Sequence, residues 1–232
     1  SFVAADSGRQ TTANIDVLRQ RFRLDAAALA GLDAPGQQFR VVRPEMLMAG
    51  VAAYIHRMTM SRTVIVGMPF MRRMGSAAIN ATGPVVNVLP VRLRFDEALS
   101  LGALSQQLSG ELRNVRKHQR YDAEQVQRDL GLVGSGRALY GPTINFKVYD
   151  GDLSLAGMKS TTHVLAAGPV EDIEFGLWFE GDALTVELSA NPQRYTADDL
   201  ERHADRLEAF LRGLIARADE PVGPQLGRRH RV

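Results

Sequence analysis

Histidines are the side chains in this sequence best suited to acid–base chemistry near neutral pH. The chain contains five of them: His56, His118, His163, His203 and His230. No two are adjacent or four residues apart, so the sequence offers no helical pair of metal ligands. A general base also needs a partner within hydrogen-bond reach, and the spacing reveals none. The surrounding pattern instead predicts His203 at the edge of the core and His56 on the rim of its helix.

Recognisable catalytic motifs are also absent from the sequence. It has no Walker A phosphate loop, no dinucleotide-binding glycine fingerprint, no HExxH and no GxSxG. It has no cysteine, which excludes disulfides, thiolate catalysis and cysteine-ligated metals. We therefore predict no metal site. The residues by themselves indicate a fold class but no reaction.

Composition narrows the class of protein. Of the 232 residues, 45% are hydrophobic and 23% charged, which is typical of a soluble globular protein. A net charge of +2 gives no support to a nucleic-acid partner. No apolar run approaches the roughly 20 residues that cross a bilayer, so we expect no membrane partner. The first ten residues lack the features of a signal peptide, and the expected compartment is the cytoplasm.

Hydrophobic periodicity predicts an α/β protein with a mixed sheet layered with helices. The predicted order in the first half is a strand at 18–24, a short helix capped by Asp25 and ended by a turn at 33–36, a helix opened by Pro44, a strand at 63–66, a long loop or short helix at 67–82, and a strand at 85–95. Pro90 cannot donate to a sheet, so the last of these strands is expected at an edge or a bulge.

The second half contains a helix pattern, further strands and a closing helix. The predicted order is a helix at 101–115, a short helix at 122–130, a strand at 139–149, a weaker strand at 160–166, a hairpin around Glu180-Gly181-Asp182, and a helix capped by Thr196. On the strand at 139–149, Asn145 and Lys147 share the face opposite Ile144 and Phe146. The end of the chain, 218–232, is expected to be a linker or tail.

Five segments, in order, resemble the second half of condensation domains from nonribosomal peptide synthetases. They are 64–73 (VIVGMPFMRR), 83–92 (GPVVNVLPVR), 118–122 (HQRYD), 139–146 (LYGPTINF) and 168–172 (GPVED), the last followed by the hairpin and Ala190-Asn191-Pro192. The final segment is similar to variants found in siderophore synthetases. Arg72 stands where the family usually has glycine, and Arg120 and Ala123 replace an aspartate and a proline of the third motif.

The resemblance implies one lobe of the two-lobe fold of chloramphenicol acetyltransferase, with a tunnel between the lobes. Carrier proteins bring a donor and an acceptor on phosphopantetheine arms, which are substrates, and no cofactor is expected to bind directly. The acceptor amine attacks the donor thioester and an amide forms. The family's His-His-x-x-x-Asp-Gly motif is nowhere in these residues. The chain alone is therefore expected to hold no catalytic residue and to be inactive.

The resemblance also assigns roles to particular residues. Tunnel or inter-lobe positions would be Arg73, Asn87, Asn145 and Met68, whereas Gly67, Pro69, His118 and Asp172 would be structural. For Asn145 the alternative is a strand residue bonded to the neighbouring backbone, and for Asn87 it is an ordering role in its loop. The hairpin at 171–191 either bridges to the other lobe or forms an ordinary sheet edge. An exposed apolar patch is expected at 68–71, where the other lobe would sit.

Three functions remain open from the sequence. The first is the C-terminal lobe, at 18–217, of an amide-forming condensation domain, preceded by a linker from the N-terminal lobe at 1–17. Its partners would be the N-terminal lobe and the donor and acceptor carrier proteins. The second is a non-catalytic module that docks carrier proteins or stabilises a partner lobe. The third is a complete small acyltransferase, which would need its own base beside a tunnel.

Overall fold

A computed structural model describes residues 16–71, 85–148 and 168–225 of the chain. The elements are β1 (Leu18–Leu24), α1 (Ala26–Leu29), a 3₁₀ turn (Ala30–Leu32), α2 (Asp33–Phe39), α3 (Arg43–Thr59), β2 (Thr63–Met71), β3 (Val86–Arg94), α4 (Leu101–Lys117), α5 (Ala123–Asp129), β4 (Thr143–Phe146), β5 (Ile173–Glu180), β6 (Ala183–Ala190), α6 (Ala197–Ala216) and α7 (Val222–Gln225). The predicted α/β class is confirmed.

The strands form one six-stranded mixed sheet in the order β1-β6-β5-β4-β2-β3. Strand β4 runs parallel to both β2 and β5, and the other neighbours are antiparallel. The strand that contains Pro90 lies at one edge, as its missing donor predicts. Strand β1 forms the other edge, and its alternating burial matches the alternation of apolar residues and arginines.

The core lies between one face of the sheet and the helices α3, α4 and α6. Apolar residues of the central strands, including Phe175, Leu177 and Val186, are fully buried there. The helices begin where the sequence places their caps. Asp25 accepts a hydrogen bond from the Ala28 amide, and Thr196 and Asp199 bond reciprocally at the start of α6.

Strand β2 is longer than the sequence predicted. Residues 67–71 continue the strand and pair with β3 as far as Met71 opposite Val86. The alternation of Val64, Val66, Met68 and Phe70 on one face carries the strand through Gly67 and Pro69. The prediction of a loop or short helix from residue 67 is therefore wrong for residues 67–71.

A predicted turn and part of the predicted C-terminal linker or tail are helical. Asp33–Phe39 forms α2 because Pro35 lies in its first turn, where the missing amide donor is tolerated. At the other end, α7 packs against α6, with Val222 fully buried and Ala218 almost so. The packed chain therefore continues past residue 217, into residues that we expected in a linker.

Two further expectations are corrected by packing. The hairpin of β5 and β6 lies inside the sheet, between β1 and β4, so it is not a sheet edge. His56 is buried and not on the rim of α3. Its ring stacks on Phe95 at 4.6 Å between centroids, and its Nδ1 lies 2.7 Å from the carbonyl oxygen of Ser61. His203 is at the edge of the core, as predicted.

Candidate functional site on the polar face of the sheet

The sheet face that points away from the core carries a group of charged and aromatic side chains. Because side chains alternate along a strand, the residues between the core positions share this second face. The register places Arg21 opposite Glu187, Glu187 opposite Gly176, and Gly176 opposite Asn145. We call the five interacting residues of this face the polar array: Arg21, Lys147, Glu174, Trp178 and Glu187.

Glu187 lies at the centre of the polar array. Its side chain is only 4% exposed, and its Oε2 lies 2.5 Å from Nη2 of Arg21. Nζ of Lys147 lies 3.9 Å from Oε1 of Glu187 and 3.3 Å from Oε1 of Glu174. A buried carboxylate is costly unless it is paired. The two cations therefore make a charged group tolerable in the middle of the sheet.

Gly176 gives Lys147 its route across β5. A Cβ atom at residue 176 would lie 3.1 Å from Nζ of Lys147. The lysine uses this gap to pass from the end of β4 toward Glu187 on β6. On the same face, the Trp178 ring has Lys147 Nζ at 5.6 Å and the Arg21 guanidinium at 5.7 Å from its centroid. Both distances are within the range of cation–π attraction.

Asn145 lies beside the polar array. It is half-buried on β4, opposite Gly176. Among the residues that the structure describes, its side-chain amide has no hydrogen-bond partner, unlike the amide of Asn87. Within these residues Asn145 therefore makes no side-chain hydrogen bond to the neighbouring backbone, which was the alternative to a tunnel position. An amide in this state can bind a substrate group or another protein segment.

The β2 motif residues divide between the two faces. Met68 is 3% exposed and lies on the core face, so it is not an exposed inter-lobe residue in this structure. Gly67 lies on the polar face, where the Tyr140 ring and Thr143 pack against it. Its amide donates to the Pro142 carbonyl oxygen at 3.0 Å. Gly67 therefore sets the spacing between β2 and the segment before β4.

The predicted apolar patch at 68–71 needs the same correction. Phe70 is buried with Met68, and only Met71 is strongly exposed. Its partner across the strands, Val86, is also exposed, and the next pair along, Pro69 and Val88, is half-buried. The apolar surface is thus on the polar-array face of the sheet. We call Pro69, Met71, Val86 and Val88 the edge patch. Arg73 lies outside the described residues.

Asn87 is engaged within the chain. Its Nδ2 donates to the carbonyl oxygens of Gln119 and Tyr121 at 3.1 and 2.8 Å, and its Oδ1 accepts from the Ala123 amide at 3.3 Å. It is 5% exposed. These contacts favour the ordering role over a tunnel role: Asn87 holds the connection between α4 and α5 against β3.

His118 is exposed, whereas Asp172 is buried. His118 follows the last residue of α4, where a cation also suits the helix dipole. It borders a shallow, mainly apolar groove with Leu89 and Val126. Asp172 is 1% exposed and accepts a hydrogen bond from the Tyr195 hydroxyl at 2.9 Å. Burial and this carboxylate raise the pKa of Tyr195. The pair joins the start of β5 to the segment after β6.

Sequence reasoning missed most of the polar array. The sequence places Lys147 on the correct strand face, but it does not indicate Glu187 or Trp178 as site residues. The available signal was a charged residue at a non-core position of a strand that is otherwise apolar. Among the described residues, no group of histidines and carboxylates is placed to hold a metal ion. No helix in the described ranges is long and apolar enough to cross a membrane.

Comparison with known proteins gives a consistent result. The model of the condensation domain family matches residues 3–225. The chain is similar to vanchrobactin synthetase VabF of Vibrio anguillarum, with 46% identity over 77% of this chain and 6% of that protein. It is also similar to enterobactin synthase component F of Escherichia coli K12, with 38% identity over 86% of this chain and 15% of that protein. The chain thus spans only a small part of these relatives.

Solved structures agree with the sequence comparisons. The starter condensation domain of rhizomide synthetase RzmA, in complex with C8-CoA and Leu-SNAC, superposes with a TM-score of 0.82 at 33% identity. The match covers 96% of this chain and 50% of that domain. The first condensation domain of the calcium-dependent antibiotic synthetase, with a bound substrate analogue, also gives 0.82, at 26% identity over 96% of this chain and 48% of that one. Each match thus uses about half of a solved condensation domain.

Proposed function

This chain belongs to the condensation domain family, and from that premise we propose that it is the C-terminal lobe of a domain that forms amide bonds in a nonribosomal peptide synthetase. The observation that carries the proposal is the half-length match. The chain is covered almost completely by solved condensation domains, yet it accounts for only about half of each. The remaining half would be the N-terminal lobe, which in the family carries the His-His-x-x-x-Asp-Gly motif.

In this proposal the chain contributes one wall of the tunnel in which the acceptor amine attacks the donor thioester. The amine nitrogen bonds to the thioester carbonyl carbon, the carbon–sulfur bond breaks, and the proton lost by the nitrogen passes to the sulfur, which leaves as the thiol. Holding two reactants in the orientation for reaction can lower the activation barrier by about 7–11 kcal/mol. The Asn145 amide, which has no partner within the described part of the chain, supports a positioning role for this wall, and the polar array beside it would keep the wall rigid.

The proposed partners follow from the same premise. They are the N-terminal lobe and two carrier proteins, whose phosphopantetheine arms bring the donor and the acceptor as substrates. The edge patch lies on the same sheet face as Asn145, which supports contact of this face with the other lobe. The cytoplasm is the proposed compartment.

The donor is proposed to be an aryl or hydroxyaryl acyl group. The support is the similarity of the hairpin segment to siderophore synthetases and the likeness to vanchrobactin and enterobactin synthetases. The rhizomide domain was captured with C8-CoA, so a fatty acyl donor is the competing outcome. Profiling the intact parent protein with several loaded donors tests this, and a clear preference for long fatty acyl groups would contradict it.

The central test is reconstitution. The chain is mixed with the separately produced N-terminal lobe and two loaded carrier proteins, and the amide product is followed by mass spectrometry. We expect turnover with both lobes and none with this chain alone. Asn145→Ala should reduce product formation in the reconstituted pair, whereas Asn114→Ala, at an exposed position on α4, should not.

Two results would contradict the proposal. Turnover by the chain alone would indicate a complete small acyltransferase. Tight binding of the two lobes without turnover, when the intact parent protein also forms no amide from the same loaded carrier proteins, would instead favour a non-catalytic module that stabilises its partner or docks carrier proteins.

A further inference from the structure

A small cavity on the helical side of the molecule is lined by three arginines. It has a volume of about 240 Å³ and lies where the end of α3, the second half of α6 and α7 meet. Arg57 comes from α3, Arg206 from α6 and Arg217 from the end of α6. Phe210 and Leu214 supply the apolar part of the lining. Within the described ranges no carboxylate lines this cavity, so the charged groups of its lining are all cationic.

The three guanidinium groups are not neutralised by ion pairs. Among the described residues, none of them lies within ion-pair distance of a carboxylate. The contrast with other arginines of the same helix is clear, since Arg202 pairs with Asp199 and Arg212 with Glu208. The paired arginines of α6 are thus outside the cavity, and the unpaired ones are inside it.

Two of the three arginines contact neighbouring uncharged groups. Arg57 is half-buried in the last turn of α3, with its guanidinium 5.5 Å from the centroid of the Phe210 ring. Arg217 ends α6, and its Nε lies 3.4 Å from the Gly213 carbonyl oxygen. The C-terminal ends of α3 and α6 carry partial negative charge, which favours cations at both positions. Arg57 and Arg217 are therefore positioned by contacts within the fold, whereas Arg206 is exposed.

The volume of the cavity suits a compact anion. Pockets for drug-sized ligands have volumes of about 300–1,000 Å³, and this cavity is smaller. Guanidinium groups have planar, fork-like donors that match the oxygens of phosphate and carboxylate. Three guanidinium groups carry more positive charge than a single carboxylate can balance. They therefore match a compact anion with several negative charges.

We propose that this cavity binds a small multivalent oxyanion of the phosphate class, with Arg57, Arg206 and Arg217 as its ligands. The site lies on the side of the sheet opposite Asn145 and the polar array. It is separate from the amide-forming function proposed above and does not depend on it. The anion would join α3 to α6 near α7 and stabilise that corner of the fold.

Calorimetric titration of the full 232-residue chain with inorganic pyrophosphate tests the site. Chloride is added to the reference titration at matched ionic strength, so that general screening is subtracted. We expect saturable binding of one pyrophosphate per chain. Arg206→Gln and Arg57→Gln should each weaken it about tenfold or more, because each removes a charged hydrogen-bond donor. Arg206→Lys, which keeps the charge but not the fork, should weaken binding less.

The matched controls are the paired arginines of the same helix. Arg202→Gln and Arg212→Gln change the net charge equally and should leave pyrophosphate binding within about twofold. Equal weakening by the control variants would show general attraction to a basic surface and overturn the proposal. Succinate binding as tight as pyrophosphate would overturn the phosphate class. Arg206 is exposed, so Arg206→Gln is expected to fold, and its circular dichroism spectrum checks this.

Discussion

The hydroxyl of Tyr54 lies 2.7 Å from Nδ1 of His203, which joins the centre of α3 to the first half of α6 inside the core. Tyr54 is fully buried, and His203 is 9% exposed. The hydroxyl also lies 3.4 Å from the His203 carbonyl oxygen. Burial is the largest cause of the pKa shifts of both side chains: it raises the pKa of Tyr54 and lowers that of His203. Both side chains are therefore neutral in the folded protein at pH 7.

The buried His203 predicts a loss of stability in mild acid. Burial, with a smaller contribution from Arg206, lowers its pKa from 6.5 to about 4. Between these values the unfolded chain binds a proton that the folded chain does not, so the free energy of unfolding falls as the pH falls. The neutral His203 makes its full contribution to the free energy of unfolding above about pH 6.5, and this contribution is lost as the pH approaches 4. At about 1.36 kcal/mol per pKa unit, it amounts to about 3 kcal/mol at most.

Urea denaturation between about pH 7.5 and pH 4 measures this effect. His203→Asn should reduce stability at pH 7 but flatten the decline toward pH 4. His118→Asn is the control, because His118 is exposed. An unchanged pH profile in His203→Asn would show that His203 is not the residue responsible.

Gly67 predicts a second, local effect on stability. A Cβ atom at residue 67 would lie 2.5 Å from the Tyr140 ring and 2.9 Å from the Thr143 side chain, so Gly67→Ala forces the ring away from β2. We expect a loss of about 1–3 kcal/mol, the usual cost of overpacking. Gly110→Ala is the matched control, because Gly110 lies in α4 with only the end of Arg113 near its Cβ position.

Thermal and urea unfolding should show that the two glycine substitutions change the free energy of unfolding in opposite directions. The control should gain about 0.5–1 kcal/mol, since alanine is the better helix former. If Gly67→Ala is as stable as the native chain, the Tyr140 ring does not pack on β2 as described.

The hydrogen bonds of Asn87 predict that replacing it affects only the connection between α4 and α5. Asn87→Ala removes three hydrogen bonds between β3 and the segment 119–123. Hydrogen exchange should therefore accelerate at residue 123, whose amide bonds to the Asn87 side chain, while the β5–β6 hairpin keeps its protection. Asn114→Ala serves as the control. Uniform acceleration over the whole chain would contradict a local role for Asn87.

Periodicity predicted the elements of this fold well where tertiary contacts agree with local pattern. The strand at Leu18–Leu24, the cap at Asp25 and the edge position of Pro90 all follow from side-chain alternation or from a single missing donor. The helix opened by Pro44 was recovered for the same reason. In each case the local signal and the packed environment favour the same conformation.

The misses share a different cause. Gly67 and Pro69 look like loop residues in isolation, but pairing with β3 on one side and with β4 on the other holds them in a strand. His56 has a polar ring that predicts a helix rim, yet stacking on Phe95 buries it. The polar array depends on four strands that are distant in sequence, from Arg21 to Glu187. No local sequence pattern indicates which charged side chains of these strands contact one another.

The last prediction concerns the edge patch and what covers it. Met71 and Val86 are 60% and 55% exposed and lie opposite each other at the end of the β2–β3 pair. Pro69 and Val88 extend the same surface. We expect the isolated chain to self-associate through this surface or to bind a separately produced N-terminal lobe. A standard interface would bury about 1,200–2,000 Å² in total. Light scattering over a concentration series, with and without the N-terminal lobe, measures both events.

Charge placed in the edge patch should weaken this association without unfolding the chain. Met71→Lys and Val86→Lys are at exposed positions, so each should cost little stability while reducing the associated fraction. Met60→Lys is the matched control, because Met60 is also exposed and precedes the opposite end of β2. A chain that stays monomeric at every concentration and ignores the added lobe would show that this surface is not an interface. Loss of association in Met60→Lys alone would place the interface at the other end of the strand.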